Sequence, residues 1–158
     1  MTVGRKILVT GASGYVGGRL VTALLDEKMQ VRVFVRDLNK AQSHVWANQV
    51  EIAVGNASDY QSTLSALTGV HTAFYLLHSI NVGKNFDEIE AQMARSFAKA
   101  AQEAGVKQIV YLGGIANDAK TSKHLKSRAN TGKELATTAV PVMELRAGVC
   151  SCSGSASC

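Results

Sequence analysis

"VTGASGYVGG", Val9 to Gly18, holds four glycines in ten residues. A short apolar run precedes it and another follows. "KILVT" (Lys6–Thr10) is β-branched and reads as a buried strand. Beyond the glycines, Val16, Leu20, Val21, Leu24 and Leu25 recur at helical spacing, so the segment reads as an amphipathic helix. A glycine cluster alone is often a mere turn. Placed between a strand and a helix, Gly11, Gly14 and Gly17 form G-x-x-G-x-x-G in the context of a phosphate loop. Gly11 allows the tight turn, Gly14 leaves room for a pyrophosphate, and Gly17 lets the helix pack close to the sheet. The backbone N–H groups near Ser13, Gly14, Tyr15 and Val16 would then face the anion at the positive end of the helix.

Strand and helix patterns alternate along the rest of the chain. "QVRVFVR" (Gln30–Arg36) and "VEIAVGN" (Val50–Asn56) read as the second and third strands. "SDYQSTLSALTGV" is a short helix with Ser58 or Asp59 as N-cap and a stop at Gly69. "HTAFYLLH" (His71–His78) is the fourth strand. "NFDEIEAQMARSFAKAAQEAGV" is the longest helix, with acid early, base late and Gly105 as its stop. "KQIVYLGG" (Lys107–Gly114) is the fifth strand, and "SKHLKSRANTGKELATTA" a helix with Gly132 as its weak spot. "PVMELRAG" (Pro141–Gly148) is a sixth strand opening on the only proline. The pattern predicts an α/β fold: a doubly wound parallel sheet of Rossmann type, with helices on both faces and a short C-terminal part. One domain over residues 1–149 is expected, with an irregular tail over 150–158 that reads as truncated.

Composition bounds the function. The chain has 158 residues, 46% hydrophobic and 18% charged, an ordinary balance for a globular protein. The net charge of +5 comes from scattered cations, with a loose cluster between Lys120 and Lys133. Aromatic residues make up 6% and do not interleave with the cations, which argues against a nucleic-acid surface. No stretch reaches the roughly 18 apolar residues of a membrane span, and the N-terminal apolar run is too short for a signal peptide. A cytoplasmic protein is expected. Cys150, Cys152 and Cys158 lack paired C-x-x-C spacing, so no metal site is expected.

Which dinucleotide is bound turns on the end of the second strand, which faces the adenosine ribose. There the chain reads "VFVRDLNK". Arg36 stands at the strand end and Lys40 one turn later, and cations there suit the 2′-phosphate of NADP. Asp37 pulls the other way, so NAD is the second choice. Asn56, after the third strand, is a candidate for the adenine edge. Leu77 and His78, at the end of the fourth, are candidates for the far end of the cofactor.

These residues carry a resemblance. "VTGASGYVGGRLVTALL", "VRVFVRDLNK", "AFYLLHS", "VYLGGIA" and "LRAGV" together resemble the atypical short-chain dehydrogenase/reductase superfamily, over nearly the whole chain up to about Val149. Within it they are similar to the NAD(P)-binding branch of NmrA-like, complex-I-subunit-like and epimerase-like proteins. The resemblance implies a Rossmann domain with NADP or NAD at Gly11, Gly14 and Gly17. It also implies a Tyr-x-x-x-Lys pair after the fifth strand, and here the chain departs. His124 stands in the place of the tyrosine and Arg128 in that of the lysine, and the serine near the fifth strand's end is Gly113 or Gly114. His124 and Arg128 are the candidate catalytic residues, four apart on one helix face. Tyr111 reads as core.

Three functions fit. One is an NADP-dependent oxidoreductase acting on an unknown small molecule, such as a quinone or flavin. Another is an NADP-binding redox sensor or accessory subunit without turnover. The third is an incomplete fragment of a larger enzyme, whose exposed apolar surface near the sixth strand could drive formation of a homodimer.

Overall fold

Strand β1 (Ile7–Thr10) lies at the middle of the molecule with all four residues buried. The computed structural model describes residues 4–78, 85–115 and 123–147. Lys120, Ser79 and the tail with its three cysteines lie outside the described residues. The remaining strands are β2 (Val31–Val35), β3 (Glu51–Val54), β4 (Thr72–Tyr75), β5 (Gln108–Gly114) and β6 (Val142–Ala147). They form one sheet in the order β3-β2-β1-β4-β5-β6, and every pairing is parallel. This is the expected doubly wound Rossmann sheet. The chain runs outward from β1 through β2 to β3, then crosses back to β4. A crevice therefore opens beyond the carboxyl ends of β1 and β4.

The helices are α1 (Tyr15–Asp26), α2 (Leu38–Gln42), α3 (Tyr60–Leu67), α4 (Phe86–Glu103) and α5 (Lys123–Leu135). Alternate strand residues supply two cores. On one face Leu8, Phe34, Ala73, Tyr75, Ile109 and Tyr111 pack against α3, α4 and α5 through Leu67, Phe97, Ala101 and Leu135. On the other, Ile7, Val9, Val33 and Val35 pack against Val21 of α1, Ala41 of α2 and Trp46. Each fully buried aromatic or branched side chain stabilises the fold by about 1.5–3 kcal/mol.

Most elements lie within a residue or two of their expected bounds. Asp59, rather than Ser58, caps α3, its carboxylate accepting from the Ser62 N–H at 2.9 Å. Gly69 and Gly105 end their helices at positive φ. Asp87 and Glu88 fill the first turn of α4, and its bases, Arg95 and Lys99, lie in its second half but short of the last turn. Gly132 does not interrupt α5. It is buried, and a methyl there would stand 3.2 Å from the Glu144 carboxylate of β6.

Two features were not expected. Helix α2 and a single 3-10 turn at Ala47–Gln49 occupy the β2–β3 connection, where no helix was assigned. Arg32, inside the apolar strand β2, is buried and ties three elements together. Its Nη1 donates to Ala66 O at 2.6 Å and Thr68 O at 2.8 Å, and its Nη2 pairs with Glu51 at 2.7 Å. A cation thus satisfies the carbonyls at the end of α3.

Candidate functional site

The β1–α1 loop is shaped by three close approaches. Gly11 sits at φ 67°, a conformation open to glycine, and any side chain there would strike Leu76 O at 2.7 Å. The Gly14 N–H donates to Gly11 O at 3.0 Å and closes the turn. A methyl on Gly17 would lie 2.1 Å from Gly11 O, so only glycine lets α1 come this near the loop. Sequence reasoning assigned the tight turn to Gly11 and the close helix packing to Gly17, and the backbone has that geometry.

Gly14 caps α1 without a side-chain hydrogen bond, and the first turn carries no acidic residue. Among the described residues no side chain caps the leading N–H groups of α1, at the positive end of a twelve-residue helix. Ser13, Gly14, Tyr15 and Val16 are all exposed there, and Gly17 is buried beneath them. Tyr15 carries the Arg19 guanidinium over its ring at 4.7 Å. A cleft of about 610 Å³ runs from Ser13 and Gly14 along α1 to His44 and Trp46.

Thr10 is a residue sequence reasoning passed over, although it stands inside the opening motif. It is fully buried. Its hydroxyl donates to Phe74 O at 2.9 Å and accepts from the Leu76 N–H at 3.0 Å. It therefore staples the end of β1 to the end of β4 where the sheet changes winding direction. Leu76 and Leu77, half-buried, follow directly.

Arg36 and Lys40 are both exposed at the end of β2 and the start of α2. Asp37 between them caps α2, its Oδ1 accepting from the Lys40 N–H at 3.0 Å. A carboxylate engaged in this way is directed at the helix. Asn56 is exposed after β3, and its Oδ1 accepts from the Ser58 N–H at 3.0 Å.

The other end of the crevice holds a polar cluster. His78 is half-buried just beyond β4. Burial holds its pKa below the ordinary value of 6.5, the Arg128 cation of α5 adds to the lowering, and Glu90 of α4 opposes it. The Arg128 guanidinium lies toward the end of β5, where a methyl on Gly114 would stand 3.7 Å from its Nη1. The His124 ring stacks on Phe86 of α4, with centroids 5.0 Å apart, and is exposed. Tyr111 is core as expected. Its hydroxyl donates to Arg128 O at 2.9 Å, and burial pushes its pKa up to about 12. It is neutral at physiological pH and committed to the α5 backbone. Glu90 and Ser127 were not singled out from sequence. The Ser127 hydroxyl, buried, donates to the Glu90 carboxylate across the α4–α5 seam. No group of three or more potential metal ligands exists among the described residues, and no described helix is long and apolar enough to cross a membrane.

Comparison with known proteins agrees with the fold. The model of the NmrA-like family matches residues 4–142. A 3β-hydroxysteroid dehydrogenase/Δ5→4-isomerase of Mycobacterium tuberculosis is 33% identical over 116 residues, covering 67% of this chain and 30% of that protein. An NAD(P)H azoreductase of Xenophilus azovorans is 32% identical over 109 residues, covering 69% of this chain and 35% of that protein. Among solved structures, an NADPH-dependent quinone oxidoreductase of Escherichia coli, complexed with NADPH, superposes with a TM-score of 0.73 at 29% identity. That match covers 89% of this chain and 48% of the other. The triphenylmethane reductase of Citrobacter sp. complexed with NADP(H) gives a TM-score of 0.74 at 26% identity, with the same two coverages of 89% and 48%. The chain thus spans about a third of the length of the curated relatives and about half that of the solved structures. Its fold is the NAD(P)-binding, oxidoreductase-like Rossmann fold.

Proposed function

Because the chain belongs to the NmrA-like family, we propose that it binds NADP(H) at the β1–α1 loop and serves a reductase. The observation that carries this is the open N-terminus of α1, held against Gly11 by the bare Cα of Gly17 at the winding switch of the sheet. The N–H groups of Tyr15 and Val16 bind the pyrophosphate, Gly14 leaves it room because its own N–H closes the turn onto Gly11 O, and Ser13 stands at its adenosine side. Arg36 and Lys40 take the 2′-phosphate. Asp37, the group that favoured NAD, has its carboxylate turned to the α2 cap. The complexes of two relatives with NADP(H) support the same choice. Asn56 keeps its amide NH₂ for the adenine edge, since Oδ1 is already used.

NADP(H), when bound, supplies the hydride chemistry. The chain's own residues position and screen. Leu77 lines the nicotinamide end. Arg128 places a fixed cation beside the reacting group, and the neutral imidazole of His78 exchanges a proton there. His124 offers a second imidazole at the start of α5, its ring held by Phe86. The names of the relatives point to quinones, azo dyes and triphenylmethane dyes as acceptors, and flavins are of the same electron-accepting kind. Ile115, Met143 and Leu145 expose apolar surface around β5 and β6; Met143 and Leu145 share the face of β6 opposite Glu144. A second copy docked there would give a homodimer, detectable by light scattering.

The test is NADPH oxidation, followed at the nicotinamide absorbance, against a panel of quinones, flavins, dyes and ketosteroids. Turnover with an acceptor of the first three classes is expected. Tight NADPH binding with no turnover on any of them leaves the redox-sensing module instead. That second reading rests on His124 and Arg128 standing where the family pattern has Tyr-x-x-x-Lys.

A further inference from the structure

Strand β6 stands at one edge of the sheet, and among the described residues it pairs only with β5. The Ile109 N–H donates to Pro141 O at 2.9 Å, and the Ile115 N–H to Ala147 O at 3.2 Å. Backbone direction alternates along a strand, so Met143, Leu145 and Ala147 turn their N–H and C=O groups toward β5. Those of Val142, Glu144 and Arg146 turn outward and form an open pairing edge. Side chains alternate too. Met143 and Leu145 share one face and are 50% and 49% exposed. Glu144 and Arg146 share the other, where Arg146 Nε stands 3.3 Å from Glu144 Oε1. Exposed edges are commonly blunted by lysine, proline or a bulge. "VMELRA" carries no lysine or proline, and its register with β5 runs without a break.

This edge is complementary to itself. Paired residues must both turn outward, so a two-fold axis between two copies falls on a residue of β6. An axis at Glu144 or Arg146 sets like charges opposite each other, which is unfavourable. One at Met143 sets Val142 against Glu144. One at Leu145 sets Glu144 against Arg146 of the second copy, and Arg146 against its Glu144. Both pairs are then of opposite charge, and each exchanges its outward N–H and C=O groups. On the other face the two Leu145 side chains meet at the axis, with a Met143 on either side. We propose that β6 is a homodimer edge, on which a second copy adds its own β6 antiparallel about Leu145.

The pairing rests on the reading of the β6 surface as the place where a second copy docks, and gives that docking a register. It is independent of cofactor binding. L145K sets two ammonium groups together at the axis, and R146E sets carboxylate against carboxylate. Each weakens the dimer about tenfold or more. Leu145 and Arg146 are largely exposed, so neither change disturbs the core. The axis also dictates which positions meet. Two cysteines at position 145 face each other as a non-hydrogen-bonded pair, at a Cα separation a disulfide spans. Met143 opposes Ala147, so two cysteines at position 143 stand four residues apart along the strands, about 14 Å.

The experiment is sedimentation equilibrium of the full chain for wild type, L145K and R146E, with V45K as a control at an exposed site on another surface. Alongside it, L145C and M143C are oxidised with glutathione disulfide in a background where Cys150, Cys152 and Cys158 are serine. Thermal melts identify any variant that fails to fold, and the cysteine pair then decides alone. A wild-type dimer weakened by L145K and R146E but not by V45K, with a disulfide dimer from L145C and none from M143C, supports the pairing. A dimer that L145K weakens, but that L145C does not cross-link, overturns the edge pairing and leaves the copies docked face to face. A dimer indifferent to L145K and R146E, or a wild type that stays monomeric, overturns both the pairing and the docking on β6.

Discussion

Gly17→Ala isolates the contact on which the cofactor loop depends. The added methyl would stand 2.1 Å from Gly11 O, 2.7 Å from Gly11 C and 2.9 Å from Ala12 Cα. All three are backbone atoms, so no side-chain rotation relieves them. Opening the first contact from 2.1 to the 3.3 Å found for a methyl on Gly14 moves α1 by about 1.2 Å. That shift parts α1 from the core it shares with β1 and β2, where Val21 is fully buried. Overpacking of this kind costs typically 1–3 kcal/mol, and the backbone origin of the clash places it at about 3 kcal/mol. For a chain of this size that lowers Tm by about 6–12 °C. Gly14→Ala is the matched control. Its methyl meets a single atom at 3.3 Å, and its backbone, at φ −84° and ψ 171°, suits alanine. Its stability cost stays below about 1 kcal/mol, yet the methyl points to where a pyrophosphate would approach, and NADPH affinity falls about tenfold or more. Urea denaturation and fluorescence titration with NADPH read the two effects. A Gly17→Ala protein within about 1 kcal/mol of wild type refutes the close-packing argument, and unchanged NADPH binding in Gly14→Ala refutes the placement of the anion.

Other expectations follow from the same geometry. Arg36→Ala weakens NADPH about tenfold or more while leaving NADH within about twofold, consistent with loss of one charge-assisted phosphate contact; equal losses for both cofactors count against Arg36 as the phosphate ligand. Arg32→Met strands the carbonyls of Ala66 and Thr68 and costs about 2 kcal/mol, a value discounted because its partner Glu51 is half-exposed; a urea midpoint equal to wild type would show that the buried cation is dispensable. The Glu51 pKa is lowered first by the Arg32 hydrogen bond and then by Lys6, so this pair's stabilisation is present above the ordinary value of 4.5 and disappears as pH falls through the lower folded value. The lowered His78 pKa means its neutral form stabilises the fold above 6.5, and that contribution is lost as pH falls through the folded value. His78→Gln should flatten the stability profile below pH 6.5 in thermal melts, and an unaltered slope contradicts the buried, neutral imidazole.

The parts of the fold legible in the sequence are those with a local cause. The spacing of Gly11, Gly14 and Gly17 has steric meaning wherever a strand runs into a helix, and the observed clashes account for two of the three directly. Asp59 caps α3 from three residues away, a distance readable in sequence. Helix α2 escaped because "LNKAQ" is five residues long with a single buried side chain, too short for periodicity. For the same reason Asp37 read as a rival ribose ligand, and only its bond to the Lys40 N–H assigned it to the cap. The inner end of the crevice was half legible. His78 and Arg128 were named separately, but the influence of the Arg128 cation on His78 depends on the pairing of β4 with β5 and the docking of α5. Ser127 and Glu90 are 37 residues apart, and neither residue type carries a signal at that range. Spacing placed His124 with Arg128, whereas Phe86 from another helix claims the imidazole ring.

The account stands on cofactor recognition at the β1–α1 loop and the end of β2. Titration calorimetry of the wild-type chain with NADPH and with NADH, in the same buffer at physiological salt, tests it directly. A saturable one-to-one site, with NADPH bound about tenfold or more tightly than NADH, is the predicted result. No heat of binding with either cofactor, or tighter binding of NADH, contradicts it.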